Sequence, residues 1–224
     1  MIFLALTFPA AGNAWPRTFE VEHSHLFRGC RGKLVFGDTT VEYITGKKEH
    51  ARTWKYEDIE QLAIAADRIA VLTYNSRKVE LGADQVYNFK LLSGKADAEF
   101  RKEMESKLAR PLVSSILPEQ IHARFSIPAR HRLFLGDSQG VLEFGEDYVV
   151  YRSTTPKDSR VWRYEDLLSI GSTGPFQLRL GALQKTGGEY GEEKNYVFDL
   201  KRRLAAEEYD FIWGKINRPK IAGK

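Results

Sequence analysis

Three residues in the first part of the chain carry side chains that often bind transition metals. His23 and His25 are two positions apart, so on a β-strand both imidazoles would project to the same side. A hairpin could return Cys30 towards them, and this set could hold a zinc ion that keeps one position open for a substrate. The cluster raises the hypothesis of a metal-dependent enzyme. The competing interpretation is surface or turn histidines and a buried thiol.

Positive charges surround the same predicted hairpin, at Arg28, Arg31 and Lys33. They could hold the headgroups of an anionic lipid surface, and the alternative is a solvated loop. Charges of both signs are interspersed along the chain, and the net charge is only +4. We therefore expect no nucleic-acid partner.

Arg52, Trp54 and Tyr56 form a third candidate site, because alternate residues of a strand share one face. They could stack on a sugar or a base. We favour a buried aromatic row with the arginine at its end, since this face begins a corner before the acidic turn at Glu57 and Asp58.

The elements that position these residues are repeated along the chain. Residues 52–58 read RTWKYED, and residues 160–166 read RVWRYED, 108 positions later. The same offset matches further pairs: His23 with His131, Gly32 with Gly140, Leu34 with Leu142, Phe36 with Phe144, Val41 with Val149 and Tyr43 with Tyr151. After one inserted residue, the aromatic pattern of residues 87–91 recurs at 196–200. The chain is therefore a tandem duplication, in which each copy should have its own core.

The duplication tests the metal and lipid hypotheses. In the second copy Leu133 replaces His25 and Ser138 replaces Cys30, and Gly-Asp-Ser-Gln at residues 136–139 takes the place of the cations. A fold that omits these residues in one copy does not need them to form. We therefore favour the structural interpretation for the first set and the solvated loop for the second.

Each copy has the pattern of a mainly β domain that ends in a helix. Apolar residues alternate with polar ones along about six or seven short segments separated by turn residues, which predicts antiparallel strands. Only the end of each copy changes period. Phe100, Met104 and Leu108 follow one another at four-residue spacing after Asp97, a plausible N-cap. Tyr209, Ile212, Trp213 and Ile216 form the corresponding stripe in the second copy.

These patterns predict five segments. They are a signal-like segment at 1–14, a first domain at 15–110, a linker at 111–121, a second domain at 122–219 and a basic tail at 220–224. The linker carries Pro111 and Pro118 but is short and apolar, so we expect the two domains to pack against each other.

The order of elements resembles the pleckstrin-homology (PH)-like superfamily, in particular bacterial PH and GRAM-type domains. The resemblance rests on Gly32, Leu34 and Phe36, on the corner at residues 54–59 and on the terminal helix, and it covers nearly all of both copies. It implies two tandem PH-like β-barrels, each closed by a C-terminal helix. The stretch at residues 23–34 followed by this corner also resembles tandem domains of exported bacterial proteins of unknown function.

The N-terminal residues point to export. Residues 2–8 are apolar, Pro9 follows, and Gly12-Asn13-Ala14 resembles a signal-peptide cleavage site, although a basic n-region is absent. We expect a truncated signal and a periplasmic or secreted protein. The alternative is a native first strand in a cytoplasmic protein.

The expected function is a non-enzymatic binding or scaffold module for a protein or peptide partner in the bacterial cell envelope. No phosphate-cradling P-loop or Gly-x-Gly-x-x-Gly motif is present, and we expect no cofactor. The alternatives are peripheral membrane association through the basic hairpin and, last, a metal-dependent enzyme.

Overall fold

We describe the protein from a computed structural model, which covers residues 15–24, 29–76, 84–185 and 193–222. The prediction of a mainly β chain with two helices is confirmed. The strands of the first copy are β1 Arg17–His23, β2 Cys30–Phe36, β3 Thr40–Thr45, β4 Arg52–Lys55, β5 Ile59–Ala65, β6 Arg68–Ser76 and β7 Asp84–Leu91, followed by helix α1 Ala98–Lys107. Strand β8, Leu112–Ser114, lies between the copies. The second copy contains β9 Phe125–Arg132, β10 Asp137–Phe144, β11 Tyr148–Ser153, β12 Arg160–Arg163, β13 Leu167–Gly171, β14 Gln177–Leu183, β15 Glu193–Leu200 and helix α2 Ala206–Ala222.

Both copies have the same strand order and register. The fifth, sixth and seventh strands are followed across the sheet by the first, second, third and fourth, and every neighbouring pair within a copy is antiparallel. Even an irregularity is repeated, because the register shifts between Ile59 and Gln61 and again between Leu167 and Ser169. This shared register makes residues of the two copies directly comparable by position.

Strand β8 joins the two copies into one 15-stranded sheet. It runs parallel to β5, with Leu112 opposite Leu62, and pairs antiparallel with β12 through Ser114 and Val161. The segment predicted as a linker therefore contributes a strand instead of only connecting the copies. Two separate apolar clusters lie on either side of this junction, one built from residues between 19 and 112 and one from residues between 127 and 216.

Each helix packs on the cluster of its own copy. Asp97 caps α1 by accepting a hydrogen bond from the Phe100 amide at 2.8 Å, as the sequence predicted. Met104 of α1 and Ile212 of α2 are completely buried. The predicted stripe on α2 is wrong at Trp213, which is 42% exposed. Neither described helix combines the length and apolarity that a membrane-crossing helix needs.

Polar contacts bind the copies to each other. Glu60 Oε1 lies 2.6 Å from Lys185 Nζ, and the Gln61 side chain exchanges two hydrogen bonds with the Lys185 main chain. On α1, the guanidinium of Arg101 pairs with Glu105, whose Oε2 accepts a hydrogen bond from Tyr148 at 3.0 Å. Because Arg101 is 4% exposed, this ion pair is buried in the junction.

Candidate functional site

The repeated tryptophan belongs to the core. Trp54 is 4% exposed and its ring centroid lies 4.9 Å from that of Tyr87, while Trp162 is 6% exposed and lies 4.8 Å from Tyr196. A buried indole offers no face to a sugar or a base. The stacking platform predicted at Arg52, Trp54 and Tyr56 is therefore not formed.

Its two flanking residues hold the corner together. Arg52 Nη1 donates to the carbonyls of Glu49 and Ala51, both at 2.7 Å, and Tyr56 donates its hydroxyl to the Gly37 carbonyl at 2.9 Å. Arg160 and Tyr164 make the equivalent bonds in the second copy. Burial raises the pKa of both tyrosine hydroxyls, so they stay protonated donors. The repeated residues of the corner therefore make the same structural contacts in both copies.

The basic hairpin is electrostatically paired where it is described. Arg31 Nε lies 3.9 Å from Glu22, and Lys33 Nζ lies 3.4 Å from Glu20, both across the β1–β2 ladder. Arg28 lies outside the described residues. Each described cation of this hairpin thus has a carboxylate opposite it, which lowers the local positive charge that an anionic surface would attract.

The predicted metal set is described only in part. His23 stands directly opposite Cys30 in the β1–β2 register, whereas His25 lies outside the described residues. The His23 ring packs among aromatic rings, 5.1 Å from Phe89 and 5.7 Å from Tyr43. His131 packs in the same way against Phe198 and Tyr151. Among the described ranges, no group of three His, Cys, Asp or Glu residues is arranged to bind a metal.

Cys30 lies in a polar cluster of its own. Its Sγ is 3.1 Å from Thr45 Oγ1, and the hydroxyl of Tyr43 donates to its carbonyl at 2.6 Å. Hydrogen bonds from Thr45 and then from His50 favour the thiolate over the opposing effect of burial, so the pKa of the thiol falls to about 7. The residue Cys30 is only 7% exposed, which limits the access of a ligand to its thiol.

Ser138 takes the place of Cys30 in the second copy. Residues 136–140 read Gly-Asp-Ser-Gln-Gly, which has the letters of the nucleophile-elbow motif of hydrolases. That motif requires a sharp strand-to-helix turn, but Ser138 lies inside β10, is 3% exposed and has its Oγ 3.2 Å from the Tyr151 hydroxyl. The match is therefore not a catalytic site.

The strongest candidate site lies at the open edge of β13, the strand equivalent to β5. In the first copy β8 covers this edge, and the Ser115 amide donates to the Ile64 carbonyl at 3.1 Å. Leu112 of β8 is 6% exposed and belongs to the core beside α1. In the second copy β13 is the terminal strand of the described sheet, so the equivalent edge carries no strand.

The helix beside this edge also differs between the copies. Tyr209 and Trp213 of α2 occupy the positions of Arg101 and Glu105 of α1. In α1 both of these charged residues contact Tyr148 of the second copy. At β13 the corresponding helix face is aromatic, with Trp213 42% exposed. α2 packs on β13, and Ile170 of that strand is partly buried against the core.

A depression of about 660 Å³ lies next to the end of β13, between residues 172–175 and the start of α2. Its lining includes Pro175, Leu204, Tyr209, and the charged residues Arg203 and Asp210. The neighbouring Phe176 is 54% exposed. The β13 edge is thus open and aromatic rings are exposed on α2 and at Phe176, which are features of peptide-binding surfaces.

The sequence interpretation missed this site because its signal is a difference between copies rather than a motif. Matching KLARP at residues 107–111 with KINRP at 215–219, again 108 positions apart, places Trp213 on Glu105 and Tyr209 on Arg101. That replacement of an ion pair by two aromatic residues could have marked the α2 face as a different surface.

Comparisons with known proteins leave the function open. No family model matches the chain, and no similar sequence was found among curated proteins. The chain is similar to a solved structure described as the Spt16D Pob3N heterodimer, with 11% identity, over 86% of this chain and 98% of that chain. The TM-score of 0.30 is too low to carry an argument about fold or function.

Proposed function

We propose that each copy is a PH-like β-barrel unit and that the protein is a non-enzymatic binding module for an extended segment of a partner protein in the bacterial cell envelope. One observation carries the proposal: β8 adds to β5, while the equivalent edge at β13 carries no described strand. The chain thus contains its own example of the binding mode.

The mode is addition of a strand to a sheet edge. Main-chain hydrogen bonds to β13 supply affinity that is independent of sequence, and side-chain pockets supply selectivity. By analogy with β8, the peptide runs parallel to β13. An apolar residue at the position of Leu112 then packs between Ile170 and the face of α2. Trp213 loses its water contact in the complex and acts as the central anchor.

The membrane alternative has less support, because Arg31 and Lys33 face Glu22 and Glu20. Flotation with liposomes separates the two functions. Binding that requires anionic lipid and fades with added salt would favour the membrane over a peptide partner.

The cell-envelope location rests on the resemblance to exported proteins and on the composition of residues 1–14. The intact mass of the protein from its native host tests it. Loss of the segment up to about Ala14, together with recovery from the periplasm or medium, is the expected result. An intact N-terminus in the cytoplasm would overturn the location but not the peptide site.

The peptide site is tested by selecting random heptapeptides on the full chain and measuring their binding. We expect selected peptides to protect the amides of β13 from hydrogen exchange. Trp213→Ala should weaken binding by about tenfold or more, because an interface aromatic contributes on the order of 2 kcal/mol.

Phe134→Ala is the matched control, since Phe134 is a fully exposed aromatic residue on the β9–β10 hairpin. It should leave the affinity unchanged. The proposal fails if selection yields no binding peptide, or if bound peptides protect strands other than β13 and are insensitive to Trp213→Ala.

A further inference from the structure

A second site, independent of the β13 edge, lies in a cleft between the two copies. Its volume is about 590 Å³. Strands β5, β6 and β7 form one side, Val113 of β8 and the following Ser115 extend it, and the second copy contributes Lys157 and Arg160. The space exists because alanines stand on the first-copy side, at positions 63, 65 and 70. Neither copy alone contains the complete cleft.

The cleft is strongly positive. Arg68 and Lys90 line it from the first copy, and Lys157 and Arg160 line it from the second. Among the described lining residues, none is an aspartate or a glutamate. The remaining polar groups include the neutral side chains of Ser24 and Asn88, which can donate hydrogen bonds to an anion.

Two of these cations are placed at a cost to stability. Arg68 and Lys90 are exposed and stand directly opposite each other in the β6–β7 register. Like charges in such a pair repel. Two carboxylates border the row: Glu22 stands opposite Lys90 on β1, and Asp67 Oδ2 lies 3.6 Å from Arg68 Nε. Glu22 is also the partner of Arg31, so the row keeps an excess of positive charge.

The second copy shows that the fold does not require this pair. Gln177 and Asp199 occupy the equivalent register positions, and they too stand directly opposite each other. Asp199 pairs there with Arg130 and Arg132 at 2.6 and 2.7 Å. The repelling pair is therefore specific to the copy that faces the cleft.

Arg160 is held in place by the corner that it shares with the first copy. Its Nη1 donates to the carbonyls of Lys157 and Ser159 at 2.8 and 2.6 Å, which fixes the guanidinium. Its Nε is buried without a hydrogen-bond partner among the described residues. A side chain that is already ordered loses little entropy when it binds a ligand.

We propose that this cleft binds a small soluble molecule that carries two or more phosphate or carboxylate groups. Four cations on opposite walls suit a ligand with several separated negative charges, and the volume is that of a small-molecule site. A bound anion would relieve the repulsion between Arg68 and Lys90 and bridge the two copies.

Inorganic pyrophosphate and citrate are the probes, and calorimetry with thermal unfolding is the measurement. We expect at least one probe to bind and to raise the unfolding temperature, with an affinity that falls as salt is added. The double variant Arg68→Gln, Lys90→Gln should reduce the affinity by about tenfold or more, which corresponds to roughly 1.4 kcal/mol.

The double variant Lys47→Gln, Lys102→Gln is the matched control, because it removes the same charge from two exposed lysines that do not line the cleft. It should bind the probes as the unaltered protein does. Absence of binding by both probes, or equal losses in both double variants, would overturn the proposal. Phosphatidic acid vesicles distinguish a lipid headgroup: vesicle binding that requires Arg68 and Lys90, without binding of soluble probes, would also overturn it.

Discussion

The two copies share an interior and differ at their surfaces. Equivalent contacts are made in the two copies by Trp54 and Trp162 and by Tyr56 and Tyr164, and the register shift after Ile59 recurs after Leu167. The strand edges differ, because β8 covers β5 and no described strand covers β13. Residues that are repeated in both copies are those needed for folding. Positions that differ between the copies mark surfaces that are free to bind a partner.

Substitution of the core tryptophans, which are repeated in both copies, should have the largest effect on stability. Trp54→Ala and Trp162→Ala should each lower the free energy of unfolding by about 3–5 kcal/mol, because each leaves a cavity in a packed core. Denaturant unfolding of the two variants measures the effect. Similar losses would show that the tryptophans have the same role in both copies.

Trp213→Ala is the control for these variants, since Trp213 is 42% exposed and should contribute much less to stability. A small effect of either core substitution would contradict the equivalence of the two interiors. If Trp54→Ala left the stability unchanged, the corner of the first copy would not be a core element, and its stacking role would return.

The covered edge gives the second prediction. Leu112→Ala should lower the stability by about 2–4 kcal/mol, because Leu112 is a buried leucine of the first core. The loss should be accompanied by faster hydrogen exchange of β5 amides, since β8 is then held less firmly. Exchange measured by mass spectrometry tests both copies at once, and the β13 edge should not change.

Leu135→Ala makes the same substitution on a residue that is 85% exposed, and it should be nearly neutral. Equal effects of Leu112→Ala and Leu135→Ala would contradict the assignment of β8 as an integral strand. The β5 and β13 edges would then be alike, and the addition of β8 to β5 would no longer support a peptide site at β13.

The sequence predicted the interior better than the surfaces, for physical reasons. Alternation of apolar residues reports which face of a strand is buried, and Asp97 followed by an apolar stripe reports a helix start. A three-residue strand such as β8 is too short to show a period. The helical spacing of Trp213 could not show that its side chain is exposed, because that depends on what covers α2.

The β13 edge and the cleft between the copies were harder to predict from the sequence than the strands and helices. The β13 edge is open because β8 pairs with β5 while no strand of the described residues pairs with the equivalent side of β13, a difference that no local pattern encodes. The cleft needs Arg160 of one copy to line the same space as Lys90 of the other, which depends on how β8 joins the two copies. The sites that were predicted from local spacing, at residues 23–33 and 52–56, were instead explained by strand geometry wherever they are described.

The buried His131 should make a smaller contribution to the free energy of unfolding, and this contribution depends on pH. Burial, and then the nearby Arg160 and Lys194, lower the pKa of this imidazole from 6.5 to about 4. Below about pH 6.5 the unfolded chain takes up a proton that the native chain does not accept until about pH 4. The contribution of neutral His131 to the free energy of unfolding is therefore complete above pH 6.5 and is lost as the pH falls through this window, by on the order of 3 kcal/mol.

Unfolding at several pH values, compared with His131→Phe, isolates this contribution. The variant keeps an aromatic ring against Tyr151 and Phe198 but cannot bind a proton, so its stability should fall less between pH 6.5 and 4. His122→Phe, at an exposed histidine, should keep the full dependence. An unchanged slope in His131→Phe would mean that this imidazole titrates as an exposed one does. Normal titration would contradict the burial of the His131 ring against Phe198. His131 would then no longer match His23, whose ring also packs in the core.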